Sequence, residues 1–173
     1  MFSRDGILDL FAHMEWADAE IWHAVLACEP AAGDARVREW LRHLHAVQRA
    51  FLLVWRKEPV TFPDVAAFPD LPALRDWSRP TYAEARAFIG RLAPGALADP
   101  VAMPWAAELA KQLGRDPGVP TLGETMFQVT SHTTYHRGQI NARLRELGGE
   151  PPLVDYIAWI WFERPAPRQS VNP

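Results

Sequence analysis

Apolar residues recur at spacings of three and four through three long stretches of the chain, the pattern of helices that each bury one face. In the first stretch, Ile7, Leu10, Phe11, Met14, Ala17, Ile21, Val25 and Cys28 draw one stripe, which predicts a helix from about residue 5 to 28, starting at Asp5. The second carries Val37, Trp40, Leu41, Leu44, Val47, Phe51 and Trp55, with Asp34 as candidate N-cap and Pro59 just past the end. That helix should run to Lys57. In the last, Met126, Val129, Thr133, His136, Ile140, Leu144 and Leu147 share a face. Thr121 and Glu124 read as a capping box before it, and Gly148-Gly149 followed by Pro151 as its stop. Between the second and last stretches, Leu71, Leu74, Ser78, Thr81, Ala85, Phe88 and Leu92 keep helical spacing across Pro80. A proline inside a helix costs about 3 kcal/mol and kinks it, so one bent helix is predicted over about 70–93.

The sixteen prolines leave 1–29, 31–58 and 121–150 free of that residue, in agreement with the three long helices. Residues 94–120 form a long connection with room for a short helix near Trp105–Leu113. The apolar run 153–163 is too short to span a bilayer and should dock on the bundle or on a partner chain. The expected fold class is all-α, a four-helix bundle with long crossover connections, as one domain over 1–163 followed by a flexible tail at 164–173. There are no internal repeats, phosphate-cradling glycine motifs or strand-rich segments. A formal charge of −3 with no basic stripe argues against nucleic acid. A single cysteine, Cys28, fits a reducing compartment, and the charged N-terminus resembles neither a secretory signal nor a membrane span. The expected location is the cytoplasm.

The candidate chemistry lies in the run HTTYHRGQINARL. His132 and His136 stand four residues apart, so both project from one side of a helix and can converge on one ion. Thr-Thr-Tyr between them contains no glutamate, which removes the metalloprotease arrangement. Three protein ligands and one open position make a metal site capable of chemistry, and the second helix offers two histidines as the third. With Leu44 at the centre of its stripe, His43 and His45 fall about 100° to either side, and periodicity does not choose between them. Arg137 and Gln139 flank the stripe and read as surface or interface groups, and Gly138 suggests close approach by a neighbouring helix or chain. Trp16, Trp105, Trp159 and Trp161 are candidates for lining an apolar pocket.

The run HTTYHRGQINARLRELGGEPPLVDYI resembles the C-terminal signature of the DinB/YfiT-like metalloprotein superfamily. LFAHMEWADAEIW is similar to the first-helix pattern of that family and LRHLHAVQRAFL to its second. His13 and Glu15 depart from the family pattern. The resemblance aligns His43, Leu44 and Gln48 with the family's ligand helix and so implies His43, His132 and His136 as metal ligands, with His45 in a supporting or surface role. It further implies an up-down-down-up bundle, often a homodimer, that holds a divalent ion, zinc or nickel first, with iron and manganese also suited.

Characterised members of that superfamily are thiol-dependent transferases and isomerases using bacillithiol or mycothiol. The implied partners are thus a small-molecule electrophile and a low-molecular-weight thiol. A metal-bound thiol is deprotonated outright, whereas a free one with a pKa of about 8.5 is mostly protonated at neutral pH. The same ion would lower the pKa of bound water to about 7, so a metal-dependent hydrolase is the alternative. A stress-related bundle that binds metal or ligand without turnover is the third reading.

Overall fold

The computed structural model describes residues 2–168. In chain order the helices are α1 (Arg4–Ala27), α2 (Glu29–Ala32), α3 (Ala35–Arg56), α4 (Leu71–Ser78), α5 (Pro80–Gly90), α6 (Ala106–Leu113), α7 (Leu122–Glu146) and α8 (Tyr156–Trp161). No strand forms among the described residues, so the all-α expectation holds. α7 packs on α1 and on α3, while α5 packs on both of them from the other side. α1 and α3 thus face each other across the middle of the bundle.

The local signals account for most helix ends. Asp34 caps α3 by accepting from the Val37 amide at 3.0 Å, and Thr121 with Glu124 forms the full capping box of α7. At the other end of α7, the Gly149 amide reaches the Leu144 carbonyl at 2.9 Å and the Gly148 amide reaches Arg145 at 3.0 Å. With Gly148 at φ +82°, this is the paired closure that needs a left-handed residue, hence glycine. α1 departs from expectation at its start. Ser3, not Asp5, is the cap, because its hydroxyl accepts from the Gly6 amide at 3.1 Å.

Pro80 divides the expected bent helix into α4 and α5. Arg79 keeps helical dihedrals and its amide still reaches Arg75, so the break falls where Pro80 has no amide to donate. Asp70 caps the first piece through the Ala73 amide. The connection 94–120 closes on itself at the start of α7, where the Val101 amide bonds Pro120 and the Leu122 amide bonds Asp99, both at 2.8 Å. Leu97, Val101, Met103 and Trp105 pack from it onto the core.

The core has two main parts. Ile7, Phe11, Met14, Phe51, Leu52, Trp55, Ile89, Met126 and Val129 fill one end. Ile21, Val25, Val37, Leu41, Leu44, Leu74, Ile140 and Leu144 fill the other. α8 covers a third patch, with Trp159 on Trp16 and Ala17, while Ile157, Trp161 and Phe162 remain exposed. The expected tail falls partly on residues 169–173, which lie outside the described residues. Over 164–168, the Pro165 carbonyl accepts from the Trp159 indole at 3.1 Å, and Arg168 pairs with Glu20 at 2.9 Å. No helix of the described residues is long and apolar enough to cross a membrane.

Gly149 tests the packing at the end of α7. A Cβ there would lie 2.8 Å from the Leu144 Cγ and 3.1 Å from the Cys28 Sγ, and Leu144 is fully buried. Gly149→Ala is expected to destabilise by about 1–3 kcal/mol through overpacking. A urea midpoint equal to that of the parent would contradict this.

Candidate metal centre

α3 supplies His43 and α7 supplies His132 and His136, and the packing of these two helices brings the three rings together. The His43 and His132 Nε2 atoms are 3.3 Å apart, those of His132 and His136 are 3.0 Å apart, and all three donor atoms lie within 4.8 Å of one another. In tetrahedral zinc sites, metal–nitrogen distances of about 2.0–2.1 Å place ligand nitrogens about 3.3–3.4 Å apart. The observed spacing therefore fits three imidazoles on one ion. His136 is buried, while His43 and His132 are half-buried, so one side of the cluster faces solvent.

The orientation of His136 is set by its own helix. Its Nδ1–H donates to the Gln139 amide oxygen at 2.7 Å, which leaves the lone pair on Nε2, the atom that points at the other two rings. Burial, then the neighbouring His136 and His43, pushes His132 down to about 4. His43 is lowered for the same reasons, burial first, then His136 and Arg42. Both rings are neutral at physiological pH, the form in which imidazole can be a ligand.

His45 goes elsewhere. It is buried between α1 and α3, with Nε2 at 2.8 Å from the Trp22 indole nitrogen and Nδ1 at 3.0 Å from the Gln48 amide oxygen. An indole N–H can only donate, so the His45 proton sits on Nδ1 and both ring nitrogens are committed. Gln48 passes the chain on, donating to Asp18 at 2.7 Å and to Thr133 at 3.3 Å. Asp18 also accepts from the Tyr82 hydroxyl and from Arg137 Nη1, each at 2.8 Å. Burial, then Asp18, holds the Tyr82 phenol well above its usual range, so it remains a donor.

A sequence model of the DinB family matches residues 7–169. The chain belongs to the DinB family. No curated protein matches it. Within this DinB chain, the four residues His136-Arg137-Gly138-Gln139 divide into distinct tasks. His136 joins the cluster, Gln139 fixes its ring, and Arg137 reaches the bundle centre.

Two sequence expectations need correction here. Arg137 is not a surface or interface group; it is 3% exposed and paired with Asp18, and its second arm donates to Thr134. Gly138 shows no close approach by another helix of this chain, since a Cβ there would meet nothing within 4 Å. Its neighbour Gln139 also has a definite role that its flanking position did not reveal. Asp18 was missed altogether, although a signal was present. It stands four residues after Met14 and three before Ile21, a charge on the most apolar face of α1. Thr133 belongs to the Gln48 network, whereas Tyr135 is exposed and Glu124 serves the cap. His13 donates from Nε2 to the Val154 carbonyl at 2.9 Å and so ties α1 to the chain ahead of α8.

The Asp18–Arg137 pair yields a stability prediction. Asp18→Asn keeps the shape but leaves a buried guanidinium uncompensated, with an expected cost on the order of 3–5 kcal/mol in urea unfolding. Replacing both residues, as in Asp18→Leu with Arg137→Met, should recover part of that loss, and a single-variant cost below about 1 kcal/mol would contradict the assignment.

Acid sensitivity follows from the histidines. His13, His43, His45 and His132 are all held below the ordinary imidazole value, by burial first in every case. Below about pH 6.5 the unfolded chain takes up protons that the folded chain refuses, so stability rises with pH in this window and is lost on acidification. The urea midpoint of the metal-free protein should fall steadily from about pH 7 to 5; a flat profile would contradict it.

Proposed function

We propose that this DinB-family protein is a divalent-metal-dependent enzyme whose ion is held by His43, His132 and His136, and that it carries out thiol-dependent transfer or isomerisation on small electrophiles. The observation that carries this reading is the convergence of three Nε2 atoms, from two helices, with His132 at 3.3 Å from His43 and 3.0 Å from His136 and all three within 4.8 Å of one another. Zinc or nickel suits three neutral imidazoles best, with iron and manganese as further candidates. When bound, such an ion supplies Lewis acidity that favours the deprotonated form of a thiol beside it.

The chain's own residues would do the rest. Gln139 keeps the His136 lone pair aimed at the cluster, burial keeps His43 and His132 unprotonated, and the half-exposed side of the cluster admits a thiol and an electrophile. The reading includes a homodimer, for which the exposed Ile157 and Trp161 of α8, with Phe162 just after it, are the surface a second copy would cover.

Metal analysis of tag-free protein tests the proposal. One divalent ion per chain is expected, with thiol-dependent consumption of an electrophile. His132→Ala should lower affinity on the order of 100-fold or more while keeping the helical circular dichroism, and Gln139→Ala should lower it about 10–100-fold. His45→Ala should retain the ion. Retention of the ion in His132→Ala would overturn the site, and turnover without any thiol would replace the transferase by a hydrolase.

A further inference from the structure

A cavity of about 710 Å³ opens between α1, α4, α5 and residues 166–168, and none of the three clustered histidines lines it. Its charged lining is unbalanced. Arg75, Arg79 and Arg168 face it, against one carboxylate, Glu15, which already has Arg86 as partner. This is a cationic pocket in a chain whose formal charge is −3. Arg168 is steadied by Glu20 at 2.9 Å. The Arg75 Nε is buried without a hydrogen bond, its nearest carboxylate being the exposed Asp76 at 3.5 Å. Arg79 sits at the break that Pro80 makes between α4 and α5.

The rest of the wall is mixed: exposed His23 and Ser78 are polar, the Ser78 hydroxyl being spent on the Arg75 carbonyl, and the remainder presents mainly carbon. Trp22 and Leu26 line it with Tyr82, but the Trp22 indole N–H is spent on His45 and the Tyr82 hydroxyl on Asp18. Both aromatic residues therefore have only their carbon surfaces left for an occupant. The tryptophan here is Trp22, which was not among the four that the sequence suggested as pocket-lining. Guanidinium groups pair with carboxylates through two parallel hydrogen bonds, and small-molecule pockets of about 300–1,000 Å³ combine apolar walls with few polar groups.

We propose that this cavity is a second ligand site, separate from the histidine cluster, for a small amphipathic carboxylate: an aryl or acyl group against Trp22 and Leu26, with its carboxylate among Arg75, Arg79 and Arg168. The site does not depend on the metal-centre reading, and its test is a binding measurement.

Isothermal titration with 2-naphthoate, its neutral analogue 2-naphthamide and inorganic phosphate separates the contributions. Naphthoate should bind at one site per chain, with the amide and phosphate each at least about tenfold weaker, as expected when a charge-assisted hydrogen bond or the apolar contact is lost. The double variant Arg75→Gln, Arg79→Gln should weaken naphthoate binding about 10–100-fold with unchanged circular dichroism and unchanged metal content. His132→Ala should leave it unaltered. Equal affinity for acid and amide, tighter binding of phosphate, or full affinity in the arginine variant would overturn the proposal. So would loss of binding in His132→Ala, which would move the ligand to the histidine cluster.

Discussion

The centre of this bundle is organised around one buried ion pair, Asp18 of α1 with Arg137 of α7, both about 3% exposed at the side chain. Taking two charges out of water costs several kcal/mol per ion, which further hydrogen bonds to the pair offset; the Arg137 Nε has none, and the compensation gathers on the carboxylate. Asp18 accepts from three donors on three helices: Arg137 of α7, Gln48 of α3 and Tyr82 of α5. The pair therefore fixes how α7 is rotated against the rest of the bundle. His136 is the next residue back, turned by about 100°, so the rotation that delivers Arg137 to Asp18 also delivers His136 to His43.

α3 is used in the same two-sided way. His43 and His45 are separated by about 200° around the helix and serve opposite purposes. His45 has both ring nitrogens committed, to Trp22 and to Gln48, and has no lone pair to offer. His43 has its Nε2 turned toward two other imidazoles, at the half-buried edge of the α3–α7 contact. What separates a structural histidine from a candidate ligand in this molecule is the set of partners around each ring, since the two differ little in sequence context.

Trp22 and Tyr82 connect these interior contacts to the surface. Each spends its polar atom inside the bundle and presents carbon to the cavity beside α4 and α5, so the network that holds Asp18 also makes that wall apolar. Arg79, at the break between α4 and α5, lines the same cavity.

Much of this architecture was legible in the chain. The stripes of α1, α3 and α7, the Asp34 cap, the Thr121–Glu124 box and the Gly148–Gly149 stop act within a few residues of themselves, so spacing reveals them. The His132 and His136 pair was legible for the same reason. Periodicity left His43 and His45 undecided, and it misplaced Arg137, because a helical stripe records which side is apolar but not whether a charge on its flank meets an opposite charge. That depends on Asp18, which is 119 residues away in sequence. The sequence alone determined the helices and their buried faces, since those arise from local backbone preferences and apolar periodicity. Periodicity alone left the choice of histidine to the family resemblance, which implied His43, and only the tertiary structure decided which arginine enters the core and where the cationic cavity lies, because each is a meeting of side chains from helices far apart along the chain.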